Sequence, residues 1–187
     1  QVDVPLSLWS SGFNSDVMQE ELASTMLAIE REGRARQATR ELALESSEGS
    51  IDLVTEYFEL TPLVRAFQQS GGFVAYVVDG HVTADGADYV LELDIERRDG
   101  AEFNARVTHP RDDVPGFVRK GAEAVMRVVE PEPLCASYLA RALTGSGDIK
   151  AAETCIEEAL PTAKPDSRKW LLNLSGVVKY VQGDHAA

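Results

Sequence analysis

The stretch GDIKAAETCIEEAL, Gly147 to Leu160, decides how the second half of this chain is read. Gly147 suits the position just past a helix C-terminus, where left-handed φ is needed, and Asp148 can accept hydrogen bonds from the orphan amides of the next helix. The pair predicts a tight turn between two helices. Ala152 and Ala159, seven apart, share one face of the second helix with the bulkier Ile156 between them, which lets another helix approach closely. In the preceding helix Leu139 and Leu143 make the apolar ridge and Ala140 the small contact, one step along from Ala136. The Gly-Asp pair returns 36 residues later as Gly183-Asp184, after a helical pattern that carries Leu172 and Gly176.

This run of residues, with Pro165 close to where a repeat ends, resembles the tetratricopeptide repeat (TPR), a helix-turn-helix unit of roughly 34 residues. The resemblance implies that Leu139, Ala140, Leu143, Gly147, Asp148, Ala152, Ile156, Ala159, Gly176, Gly183 and Asp184 are its packing signature. It also implies a protein or peptide partner, and no cofactor. The same residues fit a plain antiparallel helical hairpin capping the first domain. Each repeat buries its apolar face only against its neighbours, and a second unit begun near Lys169 stops before its second helix. The chain is therefore expected to be a piece of a longer array, with an exposed end through which copies can associate.

Before residue 110 the period is two rather than 3.6. Leu91, Leu93 and Ile95 alternate with Glu92, Asp94 and Glu96, and Phe103, Ala105 and Val107 repeat the alternation, as strands with one wet face require. Phe73 to Val78 reads as a third strand, and Asp85-Gly86 and Asp99-Gly100 mark hairpin turns. An antiparallel three-strand meander follows from this. Upstream, Val2 to Leu6 reads as a short strand, and Met18, Leu22, Met26 and Ile29 as a helix stopped at Gly33. Arg40 to Leu44 reads as a possible strand, and Leu60, Leu63, Val64 and Phe67 as a short helix ended by Gly71-Gly72. Downstream, Val114 to Val129 carries a broad apolar helical stripe capped by Asp112 or Asp113, and Glu130-Pro131-Glu132-Pro133 then breaks the chain. The expected fold class is α+β: an α/β domain over residues 1–130 with covering helices, and an all-α TPR-like helical region over residues 131–187. The first part, with Val77-Val78-Asp79-Gly80-His81-Val82 and Tyr89-Val90-Leu91-Glu92-Leu93, resembles the TolB amino-terminal-like domains of bacterial envelope proteins. That resemblance implies a periplasmic or other extracytoplasmic protein-binding module, with a membrane anchor or leader upstream of Gln1.

A formal charge of −13 over 187 residues opposes phosphate backbones and anionic lipid surfaces, so nucleic acid is not an expected partner. The longest apolar run, Phe73 to Val78, is far short of the ~20 residues that cross a bilayer. Cys135 and Cys155 lack metal-ligand spacing, and their expected state is as buried free thiols, with a disulfide between neighbouring helices as the alternative. His81 reads as a strand residue, His109 as a loop residue and His185 as part of a frayed end, so the three make no catalytic or metal constellation. Asp79, Asp85, Asp88 and Asp94 lack the calcium-loop pattern and read as turn and solvated strand residues. Gly145-Ser146-Gly147 follows a helix rather than a strand, so it reads as a turn and not a nucleophile elbow. Trp9 is expected in the core and Trp170 between repeats. Together these residues point to a non-enzymatic interaction or scaffolding protein. The alternative is a sensor that binds a small molecule or peptide in the α/β domain and signals through the helices.

Overall fold

A computed structural model describes residues 2–9, 12–41, 76–97 and 99–183. In chain order the elements are β1 (Val2–Asp3), α1 (Leu6–Trp9), α2 (Ser15–Glu41), β2 (Tyr76–Asp85), β3 (Asp88–Arg97), β4 (Glu102–Pro110), α3 (Val114–Val129), α4 (Pro131–Leu143), α5 (Ile149–Ala159) and α6 (Pro165–Gln182). The fold is mixed α+β. Two compact units are present, one formed by Gln1–Ala23 with Thr39–Gly121, the other by Ser24–Ala38 with Ala122–Ala187. The boundary expected at residues 130 and 131 falls at the junction of α3 and α4, inside the second unit, which also takes in Ser24–Ala38.

The first unit is built on a four-stranded mixed sheet of order β1-β2-β3-β4. Strands β2, β3 and β4 are antiparallel neighbours, and β1 adds a short parallel edge through Val2↔Gly80 and Asp3↔His81, a fourth strand that the sequence reading left out of the sheet. The alternation in β3 fixes the register, because a slip of one residue would turn its apolar set to water. Val78↔Ile95↔Phe103, Gly80↔Leu93↔Ala105 and Val82↔Leu91↔Val107 line one face. Gly80 has no room for a side chain, since an added Cβ would lie 2.8 Å from the Glu92 carbonyl oxygen. Helix α3 begins with Asp113, whose Oδ1 accepts from the Gly116 N–H at 2.9 Å, and it lays Phe117 against Tyr89 with ring centroids 5.6 Å apart. At Gly121 the same helix comes so close to Leu91 and Leu22 that an added Cβ would sit 2.7 Å from Leu91 Cδ2.

Several local expectations are corrected here. The opening strand ends at Asp3, and residues Leu6–Trp9 form a short helix that sends Leu8 into the core and leaves Trp9 57% exposed. Val77 points to solvent, so Tyr76–Val78 alternates instead of forming a buried run. His109 belongs to β4 and not to a loop, and its Nε2 is 2.8 Å from Asp113 Oδ2. Arg40 and Glu41 close helix α2, so no strand starts at Arg40. The rest of that expected strand, the expected helix over 60–67, Gly71-Gly72 and residues 73–75 lie outside the described residues.

Gly33 does not stop α2 either; the helix runs on to Glu41. The glycine serves the second unit, where an added Cβ would lie 2.3 Å from the backbone oxygen of Pro133, so α2 and α4 cross nearly backbone to backbone. In an open helix Gly→Ala gains about 1 kcal/mol. Here Gly33→Ala is expected to lose about 1–3 kcal/mol through overpacking, read as a lower denaturation midpoint with an unchanged slope. A neutral or stabilising result would show that the crossing is looser than this.

Candidate functional site

The signature residues singled out in the sequence fall in the helical part of the second unit, apart from Asp184, which lies outside the described residues. α4 starts on Pro131, whose missing N–H costs nothing in the first turn, and buries Leu134, Cys135, Ala136, Ser137, Leu139 and Ala140. Ser137 Oγ donates to the Leu134 carbonyl at 2.8 Å and so enters the core satisfied. Ala152, Cys155, Ile156 and Ala159 are the buried residues of α5, which packs on α4, and α6 packs against both through Leu171, Leu174 and Val178. Two packing residues of the signature depart from it: Leu143 is 40% exposed and contributes no buried ridge, and Gly176 is exposed rather than packed against a neighbouring helix.

The turn between α4 and α5 differs in detail from its expected form. Gly145, at φ +76°, is the left-handed residue, with its N–H donating to the Ala142 carbonyl at 3.2 Å. Gly147 is needed for a different reason, since a Cβ there would come within 3.0 Å of Arg141 Cβ and 3.3 Å of the Ala142 nitrogen. Asp148 caps α5 as expected, its Oδ1 accepting from the Lys150 N–H at 2.9 Å. Gly183, at φ +82°, closes α6, and Asp184 and His185 lie outside the described residues.

Cys135 and Cys155 form a disulfide between α4 and α5, with a Cα–Cα distance of 5.4 Å. This replaces the expected free thiols. The small residues Ala136, Ala140, Ala152 and Ala159 are buried along these two helices, and their close packing brings the two cysteine backbones into bonding range.

A charged cluster that the sequence did not reveal lies in the same unit. Glu123 on α3 is only 5% exposed, and Arg141 Nη2 on α4 stands 3.6 Å from its Oε1. Arg141 Nε is also 3.4 Å from Glu32 Oε2 on α2, and the guanidinium lies 5.1 Å from the Tyr138 ring centroid. Burial, then the nearby Glu123 carboxylate to which it donates, push the Tyr138 hydroxyl up to about 12, so it stays protonated. Arg127 pairs with Glu158 and links α3 to α5. Glu123 is the one buried charge of this cluster; Arg141 beside it is a fifth exposed, and Glu32, Arg127 and Glu158 reach further into solvent. At the junction of α3 and α4, burial raises the Glu130 carboxyl above its usual range, with Glu30 adding to the effect and Arg34 opposing it.

Elsewhere the ionisable groups form exposed pairs. Glu92 bridges His81 at 2.9 Å and Arg106 at 3.2 Å across the wet face of the sheet. Asp79↔Asp94 and Asp85↔Asp88 are direct cross-strand neighbours. Asp113 is held below the usual carboxylate range by His109, and further by the Gly116 N–H. Among the described residues no group of three or more His, Cys, Asp or Glu could hold a metal ion, and no helix is long and apolar enough to cross a membrane.

The outward face of α6 combines access with uncommon composition. Leu172, Gly176 and Tyr180 follow one another at the four-residue spacing of a helical ridge, with Leu172 53% and Tyr180 72% exposed. Arg168, Lys169 and Lys179 fall on the same side, opposite the buried Leu171, Leu174 and Val178. Nothing lies within 4 Å of where a Gly176 Cβ would be. A helix-interior glycine costs about 1 kcal/mol relative to alanine, and in this helix no neighbour uses the space. Trp170, half-buried beside this face, keeps its Nε1 in the interior. Comparison of the chain with protein-family models, with curated proteins and with solved structures found no match.

Proposed function

We propose that this chain is a non-enzymatic protein-interaction module of tetratricopeptide-like design, in which the helical unit presents its docking surface on α6. The observation that carries the reading is the ridge Leu172, Gly176, Tyr180, exposed at helical spacing on a helix whose other face is already buried. Scattered exposed leucines mean little, but an aligned ridge with a backbone-deep seat at its centre is suited to receive another helix. The Cys135–Cys155 bond favours an extracytoplasmic setting, because such bonds persist in oxidising compartments.

The test is site-specific photo-crosslinking in the native host with the full chain. A photoreactive residue at position 180 should give one discrete protein adduct, lost on Leu172→Asp, whereas the same group at position 157 on the exposed side of α5 should give none. Equal labelling at both positions, or an adduct indifferent to Leu172→Asp, would remove α6 as the docking surface.

A further inference from the structure

We infer that the α6 face receives an acidic amphipathic helix from a partner protein, crossing α6 at Gly176. This deepens the docking reading above and rests on it. Three helix-interior glycines among the described residues explain themselves by a close neighbour: Gly33 against Pro133, Gly116 against Asp113 and His109, Gly121 against Leu91 and Leu22. Gly176 alone among them meets nothing within 4 Å. Its place on the helix is that of a close-approach residue, at the centre of the ridge, with Leu172 one turn before and Tyr180 one turn after. A helix laid across this point can bring its backbone near that of α6 and cover both apolar side chains.

The charge of the occupant follows from the rim. The chain as a whole carries −13, yet the charged residues of α6 framing the ridge are the three cations Arg168, Lys169 and Lys179, with Asp166 as a single acid among them. Lys169 Nζ is 3.2 Å from Asp166 Oδ1, a pair so exposed that it yields readily to a competing carboxylate. Glu or Asp on the flanks of an incoming helix would face these three cations, and a basic helix would be repelled by them.

The experiment uses the full chain, isotopically labelled and with its disulfide intact, and three synthetic peptides. One is a stapled helix with an Ala/Leu stripe and glutamate flanks, the second has lysine in place of each glutamate, and the third is a scramble of the first. The acidic helix should shift the backbone amides of residues 168–181 and weaken by about threefold to tenfold when salt rises from ~50 to ~200 mM. Gly176→Leu should reduce its affinity at least about tenfold without lowering Tm, since the substituted position is open, and Leu172→Asp should do the same. Lysine-peptide binding of equal or greater strength overturns the acidic class while leaving the docking reading intact. Equal binding of the scramble reduces the effect to charge adhesion and overturns the inference. If no peptide moves the α6 amides but the position-180 crosslink persists, the surface docks something other than an acidic helix. If the crosslink is missing too, both readings fall together.

Discussion

The double substitution Cys135→Ala/Cys155→Ala is expected to cost the second unit about 3 kcal/mol, the chain-entropy value for a loop closed over 20 residues. The bond joins α4 to α5, so its removal frees the two helices that carry most of the buried small residues of the unit. Thermal melting of the wild-type chain with and without reductant, alongside the double variant, measures the effect. The reduced wild type and the variant should melt together, roughly 10–20 °C below the oxidised chain, and the variant should not respond to reductant. A loss below about 1 kcal/mol would mean that the helices are held by packing alone.

Arg141→Met should be about as damaging, at roughly 3 kcal/mol, for an electrostatic reason. It leaves Glu123 buried without the guanidinium that faces it at 3.6 Å, and it removes the cation from Glu32 and from the Tyr138 ring. A second change, Glu123→Leu, should return much of the loss, because replacing both members of a buried pair by apolar groups is close to neutral whereas removing one is not. A double-mutant cycle by urea unfolding reads this directly. Additive losses would show that the pair is not coupled and that the cluster is solvated.

The parts of the fold legible in the sequence are those whose cause is local. Leu91, Leu93 and Ile95 declare a strand because neighbouring side chains must point to opposite faces, and Asp148 declares a helix start because its own side chain supplies the cap. The errors share a different origin. Gly33 read as a helix stop because the cost of glycine in a helix is local, while its justification, the Pro133 backbone, lies a hundred residues away in sequence. Glu123 sits in an otherwise apolar stripe, and only the fold reveals that Arg141 and Tyr138 meet it there. The cysteine pair was ambiguous because the spacing of α4 and α5 depends on alanines of both helices at once. In the candidate site, the ridge of Leu172, Gly176 and Tyr180 was written at helical spacing, but periodicity could not say which face of α6 would be buried. Leu171, Leu174 and Val178 took the interior and turned the ridge outward.

The sulfurs of the α4–α5 bond belong to residues 0% and 2% exposed, so no small thiol can attack either until the helices part. Under a fixed dose of reductant, the appearance of free thiols therefore counts openings of the hairpin, and the bond serves as an internal stopwatch of its breathing. The clock also runs in the other direction. A disulfide oxidant must reach one of the two sulfurs before the hairpin shuts, forming a mixed disulfide from which the second cysteine thiolate expels the oxidant's thiol, so the helices must stay apart long enough for that first attack.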